Sequence, residues 1–146
     1  MIEVRAIEPD DAARWRELWL AYNRFYETDV PETVTAHTLA RLLDDAAPLV
    51  GRIATRDGLI VGFSASVLHA ATWDARPVCY LEDLYVAEAA RGMGAGRALI
   101  DDLIALARAR GWGRLYWHTR ASNTAARRLY DSYTTADDFV RYRLYF

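Results

Sequence analysis

The 146-residue sequence contains no lysine, only one cysteine and no long apolar run. A single cysteine, Cys79, cannot form a disulfide within the chain or build a thiolate metal cluster. No stretch approaches the roughly 18 to 20 apolar residues that cross a bilayer, so no membrane partner is expected. The first residues, MIEVRAIEPDD, carry charges from Glu3 onward, unlike a secretory signal peptide. These absences favour a cytoplasmic protein.

The composition is typical of one compact domain. Hydrophobic residues make up 53% of the chain, which is ample for a single core. No linker or repeat divides the sequence, so we expect residues 1–146 to form one domain. The 18 arginines nearly balance 20 acidic residues, and the net charge of -2 favours no nucleic-acid partner. His37, His69 and His118 lack the spacing of metal ligands, so no metal site is expected.

Apolar periodicity and turn residues predict elements in the order β-α-α-β-β-β-α-β-α-β. The predicted elements lie at residues 2–7, 9–26, 35–45, 49–55, 59–68, 78–86, 94–110, 114–120, 122–133 and 139–146. Asp57-Gly58 between two β-branched runs indicates a hairpin, and Gly111 ends the longest helix. Hairpins followed by one β-α-β crossover indicate an α/β fold, of the α+β kind with a mixed sheet.

A glycine-rich turn lies between a predicted strand and the longest helix. It reads Arg91-Gly92-Met93-Gly94-Ala95-Gly96-Arg97. The first N–H groups of a helix lack internal partners and, with the helix dipole, attract phosphate, while glycines let the ligand approach the backbone. A dinucleotide fingerprint does not fit, because its third glycine position falls on Arg97 or Leu99, and no Gly-Lys-Ser/Thr is present. A glycine turn without a ligand remains the alternative at this point.

The pattern R-x-x-G-x-G, carried by Arg91, Gly94 and Gly96, resembles the pyrophosphate-binding motif of the GCN5-related N-acetyltransferase (GNAT) superfamily. The resemblance covers nearly the whole chain and implies a central, mostly antiparallel twisted sheet flanked by helices. It also implies acetyl-CoA as acetyl donor, an amine as acceptor and no metal. The cofactor-binding residues implied by the family's pattern are Leu84, Tyr85, Val86, Arg91, Gly92, Met93, Gly94, Ala95, Gly96, Arg97, Asn123 and Ala126.

Two further segments resemble the diamine and thialysine acetyltransferase branch: the strand YLEDLYV and the aromatic helix LWLAYNRFYE. This likeness implies direct transfer to a primary amine of a small molecule, namely a polyamine, a diamine or an amino-acid-like compound. It also implies a homodimer. Family members usually follow the tyrosine after Asn-x-x-Ala with a turn ending Gly-Phe, whereas this chain has Asp131-Ser132-Tyr133-Thr134. The loop beside the acceptor pocket is therefore expected to differ.

Acetyl transfer needs a proton donor for the leaving thiolate and a group that takes a proton from the amine. The resemblance puts Tyr130 near the thioester sulfur, where a phenol acts as general acid, although helical spacing also suits a core tyrosine. Glu82 in the apolar strand CYLEDLYV is the predicted general base or amine-recognition carboxylate, acting through water. Regular alternation puts Asp83 on the opposite face, and either carboxylate alternatively lies exposed at a strand end.

The remaining predictions concern the acceptor. Trp19, Tyr22 and Tyr26 on the first helix, together with Glu82, are predicted to line its site. Cys79 as an acetyl-carrying nucleophile is disfavoured, because direct transfer needs no such intermediate. Two other functions stay open on the sequence: a protein or peptide N-acetyltransferase, and a coenzyme A-binding module without chemistry.

Overall fold

A computed structural model describes all of residues 1–146. The strands are β1 (Ile2–Ala6), β2 (Leu49–Arg56), β3 (Leu59–His69), β4 (Val78–Val86) and β5 (Leu115–Trp117). The helices are α1 (Ala12–Phe25), α2 (Glu32–Leu42), α3 (Ala95–Arg110) and α4 (Thr124–Asp131). The predicted element order is confirmed up to α4. None of the helices is both long and apolar enough to span a membrane.

The sheet has the strand order β1-β2-β3-β4-β5. Its first four strands are antiparallel, and β5 lies parallel to β4 after the α3 crossover. The predicted Asp-Gly hairpin is confirmed between β2 and β3. Asp57 has φ 51° and Gly58 has φ 77°, and two consecutive left-handed residues are the conformation that a tight hairpin turn requires. The expected mixed α/β fold, with a sheet flanked by helices, is therefore correct.

The strands β4 and β5 pair over only three residues each, Cys79–Leu81 with Leu115–Trp117. β5 is therefore shorter than the predicted strand at 114–120, because after Trp117 the chain leaves the sheet and turns to start α4. β4 continues to Val86 with no partner on that side. The two strands consequently open a gap beyond Leu81.

Two apolar layers cover the sheet. On one side α1 and α2 pack Trp15, Trp19 and Leu39 against Ile53 and Phe63. Trp15 and Trp19 stack with ring centroids 5.2 Å apart, which confirms the predicted aromatic face of the first helix. On the other side α3 buries the cluster of Val50, Cys79, Leu81, Ile100, Leu103 and Trp112. These two layers hold β4, and the gap beside it, in a fixed position.

A β-bulge interrupts β4 at Glu82. Ala65 pairs with Asp83 and the next residue, Ser66, pairs with Leu81, so Glu82 has no partner across the ladder. Leu81 and Leu84 consequently both pack toward α3, although they are three residues apart. This corrects the expectation of regular alternation, because a bulge shifts the facing of every later side chain. Asp83 turns toward α1 instead of away from it.

The segment 139–146, predicted as a last strand, forms no strand. Its apolar side chains are exposed, from 74% for Val140 to 115% for Phe146. A strand needs a neighbour to receive its N–H and C=O groups, and this segment pairs with no strand of the sheet. The alternating pattern predicted a strand, but pattern alone supplies no partner, so the prediction is wrong.

Candidate active site

A cavity of about 580 Å³ lies beside the part of β4 that has no pairing with β5. It extends from the glycine turn before α3, along β4, to the aromatic side chains of α1 and α4. Its lining residues are Tyr22, Phe25, Tyr26, Leu84, Tyr85, Val86, Ala90, Arg91, Gly92, Gly94, Ala95, Gly96, Arg97, Asn123, Ala125, Ala126, Leu129 and Tyr130. Most of the residues predicted to bind a cofactor therefore share one cavity.

The glycine turn forms one end of the cavity. Gly92 and Gly94 have φ of 77° and 88°, a conformation that side-chain-bearing residues rarely adopt. The first bond of α3 runs from the Ala98 N–H to the Gly94 carbonyl at 2.9 Å, and the N–H groups of residues 92–97 donate to no backbone carbonyl. Six free donors at a helix N-terminus suit a phosphate group. Met93 is the exception among the predicted residues, because it lies outside the cavity lining, against Arg56.

The unpaired side of β4 forms one wall. Leu84, Tyr85 and Val86 line it, and none of them pairs with β5. Arg91 ties this wall to the glycine turn, since its Nε donates to the Val86 carbonyl at 3.2 Å. Its guanidinium also lies over the rings of Phe25 and Tyr85, at 5.6 and 5.7 Å. Free backbone groups beside an apolar wall suit a long chain carrying amide groups.

The helix α4 forms the opposite wall. Asn123 caps it, because its Oδ1 accepts the Ala126 N–H at 3.4 Å, while its Nδ2 donates to Thr119 at 3.2 Å. The cap of α4 therefore falls on Asn123. Asn123, Ala126 and Tyr130 lie along the cavity side of this helix, as their spacing predicts.

Tyr130 lies near the C-terminal end of α4 and lines the same cavity. Its ring packs against Trp117 at 5.5 Å. Burial, and secondarily the nearby Tyr26, raise the pKa of its phenol above the ordinary value. Tyr130 therefore keeps its proton at neutral pH and remains a hydrogen-bond donor.

Tyr22 on α1 and Tyr26 at its C-cap line the same cavity, with ring centroids 5.0 Å apart. Trp19 does not reach it, which corrects its predicted place in the acceptor site. Trp19 is buried at 7% exposure against Trp15, and its indole N–H donates to Thr35 at 3.1 Å. Helical spacing predicts that Trp19, Tyr22 and Tyr26 share one helical face. It does not show which side chain packs in the core and which lines the cavity.

Asp83 adds a carboxylate that lies against Tyr22. Burial raises its pKa to about 7, the nearby Tyr22 hydroxyl opposes that rise, and the neighbouring Glu82 adds to it. Glu82 itself is exposed at the bulge and does not line the cavity. Asp83 is half-buried and lies outside the cavity lining as well, behind Tyr22.

The sequence matches the acetyltransferase (GNAT) family over residues 12–133. This match spans most of the chain and includes the glycine turn, β4 and α4. The chain belongs to the GNAT acetyltransferase family. Members of this family use acetyl-CoA, and the assignment makes the chain an acetyl-transferring enzyme.

Two curated acetyltransferases are similar to this GNAT chain over most of its length. One is the D-amino-acid N-acetyltransferase HPA3 of Saccharomyces cerevisiae, which is 38% identical over 97% of this chain and 89% of its own length. The other is the mycothiol acetyltransferase of Thermobispora bispora, 34% identical over 90% of this chain. The chain spans only 45% of the length of this second relative.

Solved GNAT structures share the fold. A ribosomal-protein-alanine N-acetyltransferase from Brucella melitensis biovar Abortus superposes with a TM-score of 0.83 at 23% identity, over 99% of both chains. An aminoglycoside acetyltransferase from an uncultured soil metagenomic sample superposes with a TM-score of 0.82 at 19% identity, over 99% of this chain and 95% of the other. At these identities the likeness concerns the fold, and the membership in the diamine and thialysine branch stays a prediction.

Sequence reasoning missed several residues of the GNAT cavity. Phe25, Ala90, Ala125 and Leu129 are apolar positions next to predicted ones, and helical or turn geometry alone would have suggested them. Asp83 is different, because it lies outside the lining and its place against Tyr22 depends on the bulge in β4. The only sequence signal for it was a second acidic residue in an apolar strand.

Proposed function

We propose that this GNAT enzyme transfers the acetyl group of acetyl-CoA directly to a primary amine of a small molecule, and that amino-acid-like acceptors fit its site best. One observation carries the proposal. A single cavity is lined both by the turn that bears six free backbone N–H groups at the α3 N-terminus and by the side chains of Tyr22, Tyr26 and Tyr130. The unpaired part of β4, Leu84–Val86, thus lines the same cavity as the candidate phosphate site and the three tyrosines.

The residues of the cavity fit acetyl-CoA. The N–H groups of residues 92–97 and the side chains of Arg91 and Arg97 would hold its pyrophosphate. Leu84–Val86 and Asn123 would hold the pantetheine arm, which carries amide groups. When bound there, the coenzyme supplies the acetyl thioester and a thiolate leaving group. Met93, which lies outside the cavity lining, would contribute its backbone N–H alone.

Two side chains handle protons at the acceptor end. Tyr130, kept protonated by burial, would donate its phenolic proton to the leaving sulfur. Asp83, with a pKa raised by burial to about 7, would take a proton from the incoming ammonium group near neutral pH. Glu82 lies exposed beside Asp83 and would attract the cationic amine, directly or through water. Both carboxylates therefore serve the same step.

Cys79 supports direct transfer. It is fully buried in the layer under α3, outside the cavity lining. Burial raises the pKa of its thiol to about 11, so the nucleophilic thiolate is nearly absent at neutral pH. An acetyl-cysteine intermediate has neither access nor an activated nucleophile.

The charges at the acceptor end favour a zwitterion. Asp83 lies on one side of the Tyr22–Tyr26 pair, and the exposed guanidinium of Arg120 lies 5.7 Å from the Tyr26 ring on the other. An amino acid offers an ammonium group to the carboxylate and a carboxylate to the guanidinium. The name of the relative HPA3, a D-amino-acid N-acetyltransferase, agrees with this class of acceptor.

A thiol-release assay with acetyl-CoA tests the proposal. The acceptor panel contains D- and L-amino acids, the amines that lack only their carboxylates, diamines, polyamines and short peptides. We expect turnover with small primary amines, and the highest kcat/KM with amino acids. Turnover confined to peptides or to proteins would contradict the small-molecule assignment and favour a protein N-acetyltransferase instead.

A further inference from the structure

Phe25 is the last residue of α1, and its ring lines the cavity although the residue is 56% exposed. It follows Tyr22 by three residues, so the two side chains lie on the same face of the helix. Tyr22 packs against the core layer under α1, whereas Phe25 belongs to none of the apolar clusters. Packing of the core therefore does not account for an aromatic ring at this position.

The ring of Phe25 lies against the guanidinium of Arg91, the residue that opens the glycine turn. The Arg91 Cζ is 5.6 Å from the centroid of the Phe25 ring and 5.7 Å from the centroid of the Tyr85 ring. Both distances fall within the range of about 6 Å in which an aromatic ring attracts a cation. Two rings, one from α1 and one from β4, therefore hold the side chain of Arg91.

The contacts of Arg91 leave its charge and most of its donors free. It forms no ion pair with a carboxylate. Its hydrogen bond to the protein runs from Nε to the Val86 carbonyl, so both Nη groups keep their N–H donors. A carboxylate in the place of the rings would occupy these donors and neutralise the charge. Aromatic rings attract the cation without accepting its N–H groups in this way, so Arg91 stays available to a phosphate.

We propose that Phe25 is a positioning residue for the coenzyme: together with Tyr85, its ring fixes the Arg91 guanidinium where the pyrophosphate binds. A free arginine side chain has several rotatable bonds, and it loses their freedom when it contacts a ligand. Holding the guanidinium in place beforehand removes part of that cost and tightens the binding of the coenzyme. The proposal rests on the coenzyme site of the proposed function, in which Arg91 contacts the pyrophosphate.

A closed circuit of aromatic contacts holds Phe25 itself in place. Its ring meets Tyr26 edge-on at 5.1 Å, Tyr26 meets Tyr22 at 5.0 Å, and Tyr22 meets Tyr85 at 5.9 Å. Tyr85 contacts Arg91, which closes the circuit. Edge-to-face contacts at these separations are favourable beyond the burial of area. The position of the Phe25 ring is therefore set by α1 and β4 together, and Arg91 is held by a preformed surface.

A double-mutant cycle tests the proposal, with the Kd of coenzyme A measured by calorimetry. Phe25→Leu keeps an apolar side chain and should raise this Kd about three- to tenfold, because the cation loses one of its two rings. Phe25→Trp retains an aromatic ring and should restore most of the wild-type affinity. In the Arg91→Gln background no cation is present, so adding Phe25→Leu should change the Kd by less than about twofold.

Steady-state kinetics separates positioning from a structural role. In Phe25→Leu the KM for acetyl-CoA should rise more than the KM for the acceptor, with a near-normal melting temperature. The proposal is overturned by wild-type affinity in Phe25→Leu, by an equal loss in the Arg91→Gln background, or by a Phe25→Trp variant as weak as Phe25→Leu. An equal rise of both KM values would also overturn it. If the wild type fails to bind coenzyme A, the coenzyme site itself is wrong and this proposal falls with it. None of these outcomes depends on which amine is the acceptor.

Discussion

The Tyr22 hydroxyl on α1 lies close enough to the Asp83 carboxyl on β4, across the boundary between the first helix and the sheet, for each group to shift the pKa of the other. Burial, together with the charge of Asp83, raises the pKa of the Tyr22 phenol far above its ordinary value, so Tyr22 keeps its proton at neutral pH. The hydroxyl opposes the effect of burial on Asp83, and the pKa of that carboxyl is about 7. Asp83 thereby changes charge in the pH range where an enzyme works.

The rate should follow the ionisation of Asp83. We expect kcat/KM of the wild type to rise with pH through about 7, because only the ionised carboxylate accepts a proton. Asp83→Asn should remove this rise and lower kcat by about 10²–10⁴. Glu82→Gln is the matched control and should mainly raise KM for cationic amines. A normal pH profile in Asp83→Asn, with the rise lost in Glu82→Gln, would return the base role to Glu82.

Asp83 should also make stability depend on pH. Its folded-state pKa, about 7, is above the value of about 4 in an unfolded chain. Its stabilising contribution is therefore fully present below about pH 4 and is lost as the pH rises through about 7. Asp83→Asn should consequently melt at a higher temperature than wild type at pH 8, with the difference shrinking toward pH 4. A melting temperature lowered equally at both pH values would disprove this assignment.

Tyr130→Phe separates catalysis from packing. The ring and its contact with Trp117 remain, but the proton is gone. We expect kcat to fall about 10²–10⁴-fold with a near-normal melting temperature. Tyr133→Phe is the control on the same part of the chain. Its hydroxyl donates to Asp101 at 2.6 Å, so its loss should cost about 1 kcal/mol of stability and leave kcat unchanged. Wild-type kcat in Tyr130→Phe would eliminate the acid role.

Gly94→Ala tests the phosphate site. A methyl group at φ 88° would meet no other atom of the protein but is strained, and that strain would distort the turn that carries the free N–H groups. Gly58→Ala carries similar strain, with φ 77°, at a hairpin far from the cavity. Both should lose similar stability, but only Gly94→Ala should weaken acetyl-CoA binding, by about tenfold or more, which is about 1.4 kcal/mol. If calorimetry gives Gly94→Ala and Gly58→Ala equal affinities for acetyl-CoA, the glycine turn is not the coenzyme site.

Arg120→Gln tests the recognition of a carboxylate. KM should rise about tenfold or more for amino acids and stay constant for the corresponding amines without a carboxylate, since a charge-assisted hydrogen bond contributes about 1.5 to 3 kcal/mol. Arg114→Gln is the control, because Arg114 also lies over a tyrosine ring, at 4.7 Å, but that ring lies outside the cavity lining. If KM rises equally for amino acids and for the corresponding amines, Arg120 does not recognise the carboxylate of the acceptor.

Local signals account for what the sequence predicted. The Asp57-Gly58 hairpin, the glycine turn before α3 and the cap of α4 each depend on residues adjacent in the chain, and all were predictable. The bulge at Glu82 was not, because it depends on how β3 and β4 align. Its consequence, the place of Asp83 against Tyr22, was therefore hidden as well.

The same distinction separates Trp19 from Tyr22. Both lie on the aromatic face of α1, and helical periodicity treats them alike. Trp19 is buried because α2 brings Thr35 to its indole, whereas Tyr22 reaches the cavity beside β4. Contacts between elements far apart in the chain determine that Trp19 is buried and that Tyr22 lines the cavity. A single sequence contains no direct signal for such contacts.

The three-residue junction between β4 and β5 also sets the rigidity of the enzyme before its coenzyme arrives. α4 has no buried residue, and the strand before it is joined to the sheet at Cys79–Leu81 alone. The part of the chain that bears Asn123 and Tyr130 is thus anchored by few contacts, and it should open locally at a lower free energy than the hairpins. A coenzyme bound between β4 and α4 would connect the weakly anchored α4 to the well-packed sheet. Some of its binding free energy would order the wall that it touches, so the site reaches its working shape only when filled.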